Sequence, residues 1–343
     1  MLKLGIIGWG YWGRNYAKYL DTSIDASLDW VCDLREPMLK DAKKCYPHFQ
    51  TTTDYNDLIK NKVDGVILVT PASLHYRLAK PLIENGVNLL IEKPLTNSLS
   101  TAKELKELAH KYKTKILVGH TFLYNNSIQW LKKSIKKKYF GDVYYLEFKR
   151  QSYGPIRDDV NIVWDFAPHD LAITSYLLDN QMPIYISAQG KKFSRHSQED
   201  IAIITLEYPN NVLVNINVAW LYPIKIRSLT LLGNKKMAVF EDTNTNEPLK
   251  IYDNSINYPS EKEPYGASFR LGDIVIPRIE SIDPLYNQIK HFVNYVKGID
   301  KPLTPIEDGL RIVALLETVN EAIKTKKRVH VPSYLKQFHL SFL

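Results

Sequence analysis

Gly8-Trp9-Gly10-Tyr11-Trp12-Gly13 lies directly after the apolar run Leu4-Gly5-Ile6-Ile7 and directly before Arg14-Asn15-Tyr16-Ala17-Lys18-Tyr19-Leu20. The succession of strand, G-x-G-x-x-G turn and helix constrains the fold more than any other feature of the chain. The first glycine permits a tight turn, and the second lets a dinucleotide diphosphate approach bare backbone. The third lets the helix pack on the strand, and the helix N-terminus then faces the anion. Gly8, Gly10 and Gly13, with Tyr11 and Trp12 between them, are therefore candidate cofactor contacts. A glycine triplet alone is weak, so the rest of the chain must supply what a dinucleotide enzyme needs.

Short apolar runs at 3–7, 28–32, 65–69, 88–91 and 115–118 read as strands buried on both faces of a parallel sheet. Between them, 14–20, 37–45, 55–60, 74–85 and 99–112 read as helices, with Gly86 a stop and Ser98 or Ser100 a start. Alternating strands and helices predict an α/β, doubly wound Rossmann sheet over residues 1–121. After a helix at 127–138 the pattern turns β-rich, at 143–150, 201–207, 212–220, 226–232 and 236–241. This predicts a second α/β domain over 122–343, with a large, open, mostly antiparallel sheet and a helix at 169–178 on one face. Residues 243–281 read as a long irregular excursion. Helices follow at 285–297 and 306–325, and the C-terminal helix is placed so that it can pack back on the first domain.

At 343 residues the chain is long enough for both domains, and 45% apolar with 24% charged residues is ordinary globular composition. Cys32 and Cys45 are too few for a disulfide framework and read as reduced thiols, which predicts a cytoplasmic protein. The strand starting at Leu2 leaves no room for a secretory signal, and no apolar run approaches the ~18 residues of a membrane span. A net charge of +8 favours anionic partners without choosing among them. The lysines at 132–138 read as a solvated helix face, and no arginine–aromatic interleaving points to nucleic acid. No metal-ligand set stands out.

Four further groups carry chemistry. Asp33 closes the second strand 20 residues beyond Gly13, where a carboxylate accepts both hydrogen bonds of the adenosine ribose and repels a 2′-phosphate. It favours NAD over NADP, although Arg35 could pair with a phosphate. Thr70 and His75 follow the third strand, on the edge where ligands of open parallel sheets bind; His75 reads equally as a helix residue bonded to backbone. Glu92-Lys93-Pro94 follows the next strand, where Lys93 can bind a hydroxyl and stabilise alkoxide charge, and Pro94 could impose a rigid, cis turn. Finally, Trp164-Asp-Phe-Ala-Pro-His169-Asp170 places Asp165 and His169 four apart, on one face of a helical turn. With Pro168 near a helix start, the carboxylate would hold the imidazole tautomer while the helix N-terminus disfavours the charged ring, making His169 a base near neutrality.

Together these motifs resemble the Gfo/Idh/MocA family of sugar-type oxidoreductases over nearly the full length. The resemblance implies an N-terminal Rossmann domain and a C-terminal α/β domain whose open sheet commonly mediates homodimers or homotetramers. It implies hydride transfer between the carbinol carbon of a sugar, inositol or related polyol and nicotinamide. Lys93 and His169 become the catalytic pair, in roles that can exchange, with Asp165 as supporting carboxylate. Many members carry a further aspartate three residues after the histidine; here that residue is Ala172, and Asp170 on a helix points elsewhere. The Gly10-Tyr-Trp-Gly13-Arg-Asn15 and Trp164–Asp170 segments are similar to members that oxidise C3 of a UDP-N-acetylhexosamine or its uronate for surface polysaccharide. That subgroup makes Tyr124, Asn125, Tyr153, Arg157, His169 and the lysines of 132–138 candidate substrate contacts. Two alternatives stay open: an inositol or free-aldose dehydrogenase, and a dinucleotide-binding regulator without turnover. The intact Lys93, Asp165 and His169 argue against the regulator.

Overall fold

The computed structural model describes residues 1–20, 25–154, 156–157, 160–194, 198–257 and 268–340. The chain divides into two compact units, one formed by residues 1–124 with 282–314 and the other by 125–281 with 315–343.

The first unit opens with β1 (Leu2–Ile7), α1 (Tyr11–Leu20), β2 (Ala26–Cys32), α2 (Glu36–Cys45), β3 (Gln50–Thr52) and α3 (Asn56–Lys60). It continues with β4 (Gly65–Leu68), α4 (Ala72–Glu84), β5 (Asn88–Glu92), α5 (Leu99–Tyr112) and β6 (Ile116–Gly119). The six strands run β3-β2-β1-β4-β5-β6, and every pairing is parallel. This is the strand order of a doubly wound dinucleotide fold, in which ligands bind outside the strand carboxyl ends. β4 and β6 are buried at every residue, which explains their unbroken apolar runs. The short strand β3 is too polar, as Gln-Thr-Thr, to stand out in the sequence.

The second unit contains α6 (Asn126–Lys136), β7 (Val143–Gln151), α7 (Ile162–Leu177), β8 (Tyr185–Lys191), β9 (Ile201–Tyr208), β10 (Val212–Ala219) and β11 (Ile226–Gly233). β12 (Met237–Glu241), β13 (Leu249–Tyr252), β14 (Ser255–Asn257), β15 (Ser268–Arg270) and β16 (Ile274–Val275) follow. The segment read as irregular over 243–281 therefore carries strands: β13 pairs with β12, and β16 with β13.

Near the C-terminus lie α8 (Pro284–Lys297), α9 (Ile306–Thr325), β17 (Val329–His330) and α10 (Val331–Lys336). The large sheet runs β16-β13-β12-β11-β7-β10-β9-β8-β17. Only β7 and β10 pair in parallel; the other neighbours are antiparallel. One face presents Leu146, Phe148, Ile204, Leu206, Val214, Ile216 and Leu231, all buried, and α7 packs against β7, β9 and β10. At an order of ~25 cal/mol per Å2, such apolar burial is the main term holding helix to sheet.

α8 belongs to the first unit. Its Leu285, Ile289, Phe292 and Val293 share one core with Leu4, Ile6, Tyr16, Leu90 and Leu117. Asp283 caps α8 by accepting from the Leu285 amide at 2.8 Å and also accepts from the Tyr19 hydroxyl at 2.5 Å, tying the helix entry to α1.

Candidate active site

The glycine turn assigns its three glycines different tasks. Gly8 has φ +106°, and a Cβ there would meet the Val69 carbonyl oxygen at 2.9 Å. A Cβ on Gly13 would lie 2.1 Å from the Gly8 oxygen, so α1 can approach the turn only with glycine at that place. Gly10 differs: a Cβ there meets no atom within 4 Å. It faces open space at the N-terminus of α1, whose first-turn amides have no partner within the helix. A diphosphate fits this cradle, so the chain's own geometry is that of a dinucleotide site. Trp9 points the other way, into the core, where its indole donates to Asp41 at 2.9 Å and meets Tyr46 and Phe49 edge-on. Tyr11 and Trp12 are 75% and 45% exposed beside the turn.

Asp33, Thr70 and Lys93 follow strands at the same carboxyl edge, and Glu92 ends β5 there. Asp33 accepts from the Trp9 amide at 2.8 Å and from Arg35 through its backbone amide, Nε and Nη2, each at 2.9 Å. Burial pushes this carboxyl up, but the bonds from Arg35 and Trp9 outweigh it and hold it below the usual range. The Thr70 hydroxyl is buried with no hydrogen-bond partner among the described residues. Such an orphan costs about 1–3 kcal/mol, which a bound polar ligand would relieve. The Lys93–Pro94 peptide is cis, and Lys93 is half-buried.

Glu92 is a candidate from the sequence; Tyr16, Gln288, Thr121 and His120, which lie around it and Lys93, are not. Glu92 is buried and accepts from the Tyr16 hydroxyl at 2.7 Å and from the Lys93 amide at 3.1 Å. Tyr16 also reaches Gln288 Oε1 at 3.2 Å, and the Thr121 hydroxyl donates to the same oxygen at 2.9 Å. Burial raises the Glu92 carboxyl and, with Glu92 beside it, the Tyr16 phenol. His120, just beyond β6, is buried with neither ring nitrogen partnered among the described residues. Burial and the nearby Lys93 charge push its pKa down to about 3, so it is neutral at any working pH. Only its position at a strand's carboxyl end could have singled it out.

His75, expected at the cofactor, is wholly buried. Its ring nitrogens face the Pro94 oxygen at 3.0 Å and the Thr70 oxygen at 2.9 Å. Burial holds the ring neutral, so it donates to one carbonyl at a time and fastens the two strand-end loops to each other.

In the second unit, α7 begins at Ile162, not at His169. Asn161 caps it by accepting from the Trp164 amide at 3.0 Å, and Pro168 lies inside the helix. The expected helix start at 169 is thus corrected. His169 sits beyond the first turn, where the helix N-terminal field has decayed; the first-turn residue is Asp165. Asp165 and His169 do share the expected i, i+4 spacing on one helix. Asp165 accepts from the Trp220 indole at 3.0 Å and lies 3.5 Å from Arg157 Nη1. Asp170 points elsewhere, into a buried pair with Arg150 at 2.7 Å.

The remaining candidates divide. Tyr153 is 82% exposed, and Arg157 is held beside Asp165. Tyr124 is buried, with its hydroxyl 3.2 Å from that of Thr304. Asn125 caps α6 through the Ser127 amide at 2.8 Å. Lys132 is buried too, donating to Asp179 at 2.7 Å and to the Leu177 carbonyl at 3.2 Å. Each of these three side chains already has a hydrogen-bond partner within the protein.

Residues 2–120 match the family model described as "Oxidoreductase family, NAD-binding Rossmann fold", and residues 128–239 match "GFO/IDH/MocA C-terminal domain". The chain belongs to the GFO/IDH/MocA family. Among curated relatives of this family member is the UDP-N-acetylglucosamine 3-dehydrogenase of Acidithiobacillus ferrooxidans, 27% identical over 63% of this chain and 66% of its own length. The myo-inositol 2-dehydrogenase of Thermotoga maritima is 20% identical over 96% of this chain and 98% of its own. Among solved structures, UDP-N-acetylglucosamine 3-dehydrogenase GnnA from A. ferrooxidans superposes with TM-score 0.79 at 23% identity, covering 94% of this chain and 98% of that one. GenD2 from gentamicin A biosynthesis, in complex with NAD, superposes with TM-score 0.80 at 19% identity, covering 96% and 95%. The family member is thus an NAD-binding oxidoreductase built on a Rossmann unit and a second, mostly antiparallel sheet. Among its described residues, no helix is long and apolar enough to cross a membrane.

Proposed function

We propose that this oxidoreductase moves a hydride between NAD and C3 of a UDP-N-acetylhexosamine or its uronate. The observation that carries the reading is the carboxyl edge of the parallel sheet. There one unit gathers a glycine turn open at Gly10, a buried carboxylate at Asp33 and a lysine whose backbone amide is held by buried Glu92. The similarity to UDP-N-acetylglucosamine 3-dehydrogenase supports the nucleotide sugar as substrate.

NAD, when bound, supplies the ring that takes up the hydride. The Lys93 ammonium binds the carbinol oxygen and stabilises its developing charge, and His169 accepts the hydroxyl proton as the C–H bond breaks and C=O forms. Asp165, first oriented by Trp220, supports the histidine. The Glu92–Tyr16–Gln288–Thr121 network positions the Lys93 backbone, and His75 positions the loops on either side. The outer face of the large sheet carries exposed Ile203 and Leu213, and we assign it a homo-oligomer contact; sedimentation as a monomer at assay concentration would remove that assignment.

An inositol substrate is the second reading, favoured by the near full-length match to myo-inositol 2-dehydrogenase. The chemistry is tested by Lys93→Met, which should lower kcat by about 10²–10⁴-fold while NADH still binds. Wild-type turnover in this variant would refute the mechanism.

A further inference from the structure

Asp33 is already saturated. A carboxylate offers about four lone-pair positions. Here its Oδ2 accepts from the Trp9 amide and Arg35 Nη2, and its Oδ1 accepts from the Arg35 amide and Arg35 Nε. Two of these donors are backbone amides fixed by the turn and by the start of α2. The other two belong to the Arg35 guanidinium, whose side chain is 61% exposed while that of Asp33 is 6% exposed. A ribose diol that donates two hydrogen bonds to Asp33 therefore has one route: it must displace the guanidinium.

The same pair changes how the site meets a 2′-phosphate. An unpaired aspartate repels it, and this is the usual basis for rejecting NADP. Paired with Arg35, the Asp33 charge is compensated. The displaced guanidinium, tethered two residues from Asp33, is moreover a planar, permanently charged phosphate partner.

We propose that Arg35 is a specificity-determining residue that competes with the adenosine ribose for Asp33, and thereby weakens NAD binding while admitting NADP. The inference rests on the reading of the Gly8–Gly13 and Asp33 edge as the dinucleotide site. It makes the choice of cofactor a contest between two states of one side chain: Arg35 on Asp33, or Arg35 on a phosphate.

The test is titration of the full-length protein with NADH and with NADPH, followed by nicotinamide fluorescence, after any dinucleotide carried through purification has been removed and quantified. Arg35→Ala should tighten NADH severalfold and weaken NADPH about tenfold, so the two affinities move in opposite directions. Arg35→Lys keeps a charge but loses the two-pronged contact with Asp33; it should tighten NADH while retaining part of the NADPH affinity. Raising salt should weaken NADPH more in wild type than in Arg35→Ala. If both affinities fall together, or neither moves, the competition does not exist. If wild type binds neither dinucleotide, the cofactor reading beneath it fails instead.

Discussion

The carboxyl edge of the parallel sheet and the first turns of α7 both gather polar and charged side chains, by different means. At the sheet edge, placement is imposed by backbone: each strand must end there, and Gly8 and Gly13 admit the turn because a Cβ would collide with carbonyl oxygens. Buried Glu92 and Tyr16 lie beside Lys93, and at this edge the Thr70 hydroxyl and the His120 ring have no hydrogen-bond partner among the described residues. On α7, placement is imposed by partners distant in sequence. Trp220 holds Asp165, and Arg150 on β7 holds Asp170 in a buried ion pair. The first region leaves Thr70 and His120 without partners among the described residues, whereas Asp165 and Asp170 of the second are each held by a partner. On α7 Asp170 thus serves the fold, while Asp165 and its i+4 neighbour His169 are the residues proposed for the chemistry.

That separation can be broken by mutation. Asp170→Asn leaves the buried Arg150 without its counter-charge and should destabilise the fold by about 3–5 kcal/mol, read as a lower urea midpoint. Replacing both partners, as Arg150→Met with Asp170→Leu, should recover much of the loss. If Asp170→Asn were as stable as wild type, the pair would not serve the fold.

A smaller effect is expected at the sheet edge. Tyr16→Phe removes one donor from buried Glu92 and should cost about 1–3 kcal/mol of stability. Because Glu92 also accepts the Lys93 amide, kcat should fall more than the affinity for NADH. Equal loss in both would leave Tyr16 a packing residue only.

The last effect is a pH limb, negligible at neutrality and growing on acidification. His120 titrates near 3 when folded, against about 6.5 when unfolded. The unfolded chain therefore binds the proton first on acidification. The stability associated with a neutral His120 is complete above about pH 6.5 and is lost as pH falls from there towards 3. His75 is shifted in the same direction by burial, so His120→Asn should flatten this limb without abolishing it. Identical pH slopes for variant and wild type, by urea unfolding at several pH values, would show that the ring does not carry this linkage.

Much of the sheet edge was legible because it is local: a glycine turn, an acidic strand end and Glu92-Lys93-Pro94 are each contiguous. The Tyr16–Glu92–Gln288–Thr121 network was not, since its members come from α1, β5, α8 and the turn after β6, and no spacing rule joins them. α7 was misplaced for a different reason. Ile162-Val-Trp-Asp-Phe-Ala is apolar and partly β-branched, and Pro168 imitates a helix start. In the fold Asn161 caps the helix earlier, and burial on nearly every side sustains it past the proline, whose missing N–H removes one helical bond. The burial of Tyr124 and Lys132 was not legible because a polar tip says nothing about whether a buried partner exists; Thr304 and Asp179 supply those partners from far along the chain.

The carboxyl edge around Lys93 is proposed to serve oxidation of a nucleotide sugar by NAD. That role is tested most directly by incubating the protein with NAD and, separately, UDP-N-acetylglucosamine, its uronate, myo-inositol and free aldoses, while following the reduced-nicotinamide absorbance and assaying bound dinucleotide. The expected result is reduction of NAD with a UDP-N-acetyl sugar and formation of its 3-keto product. Activity on free inositol with none on any nucleotide sugar would contradict it.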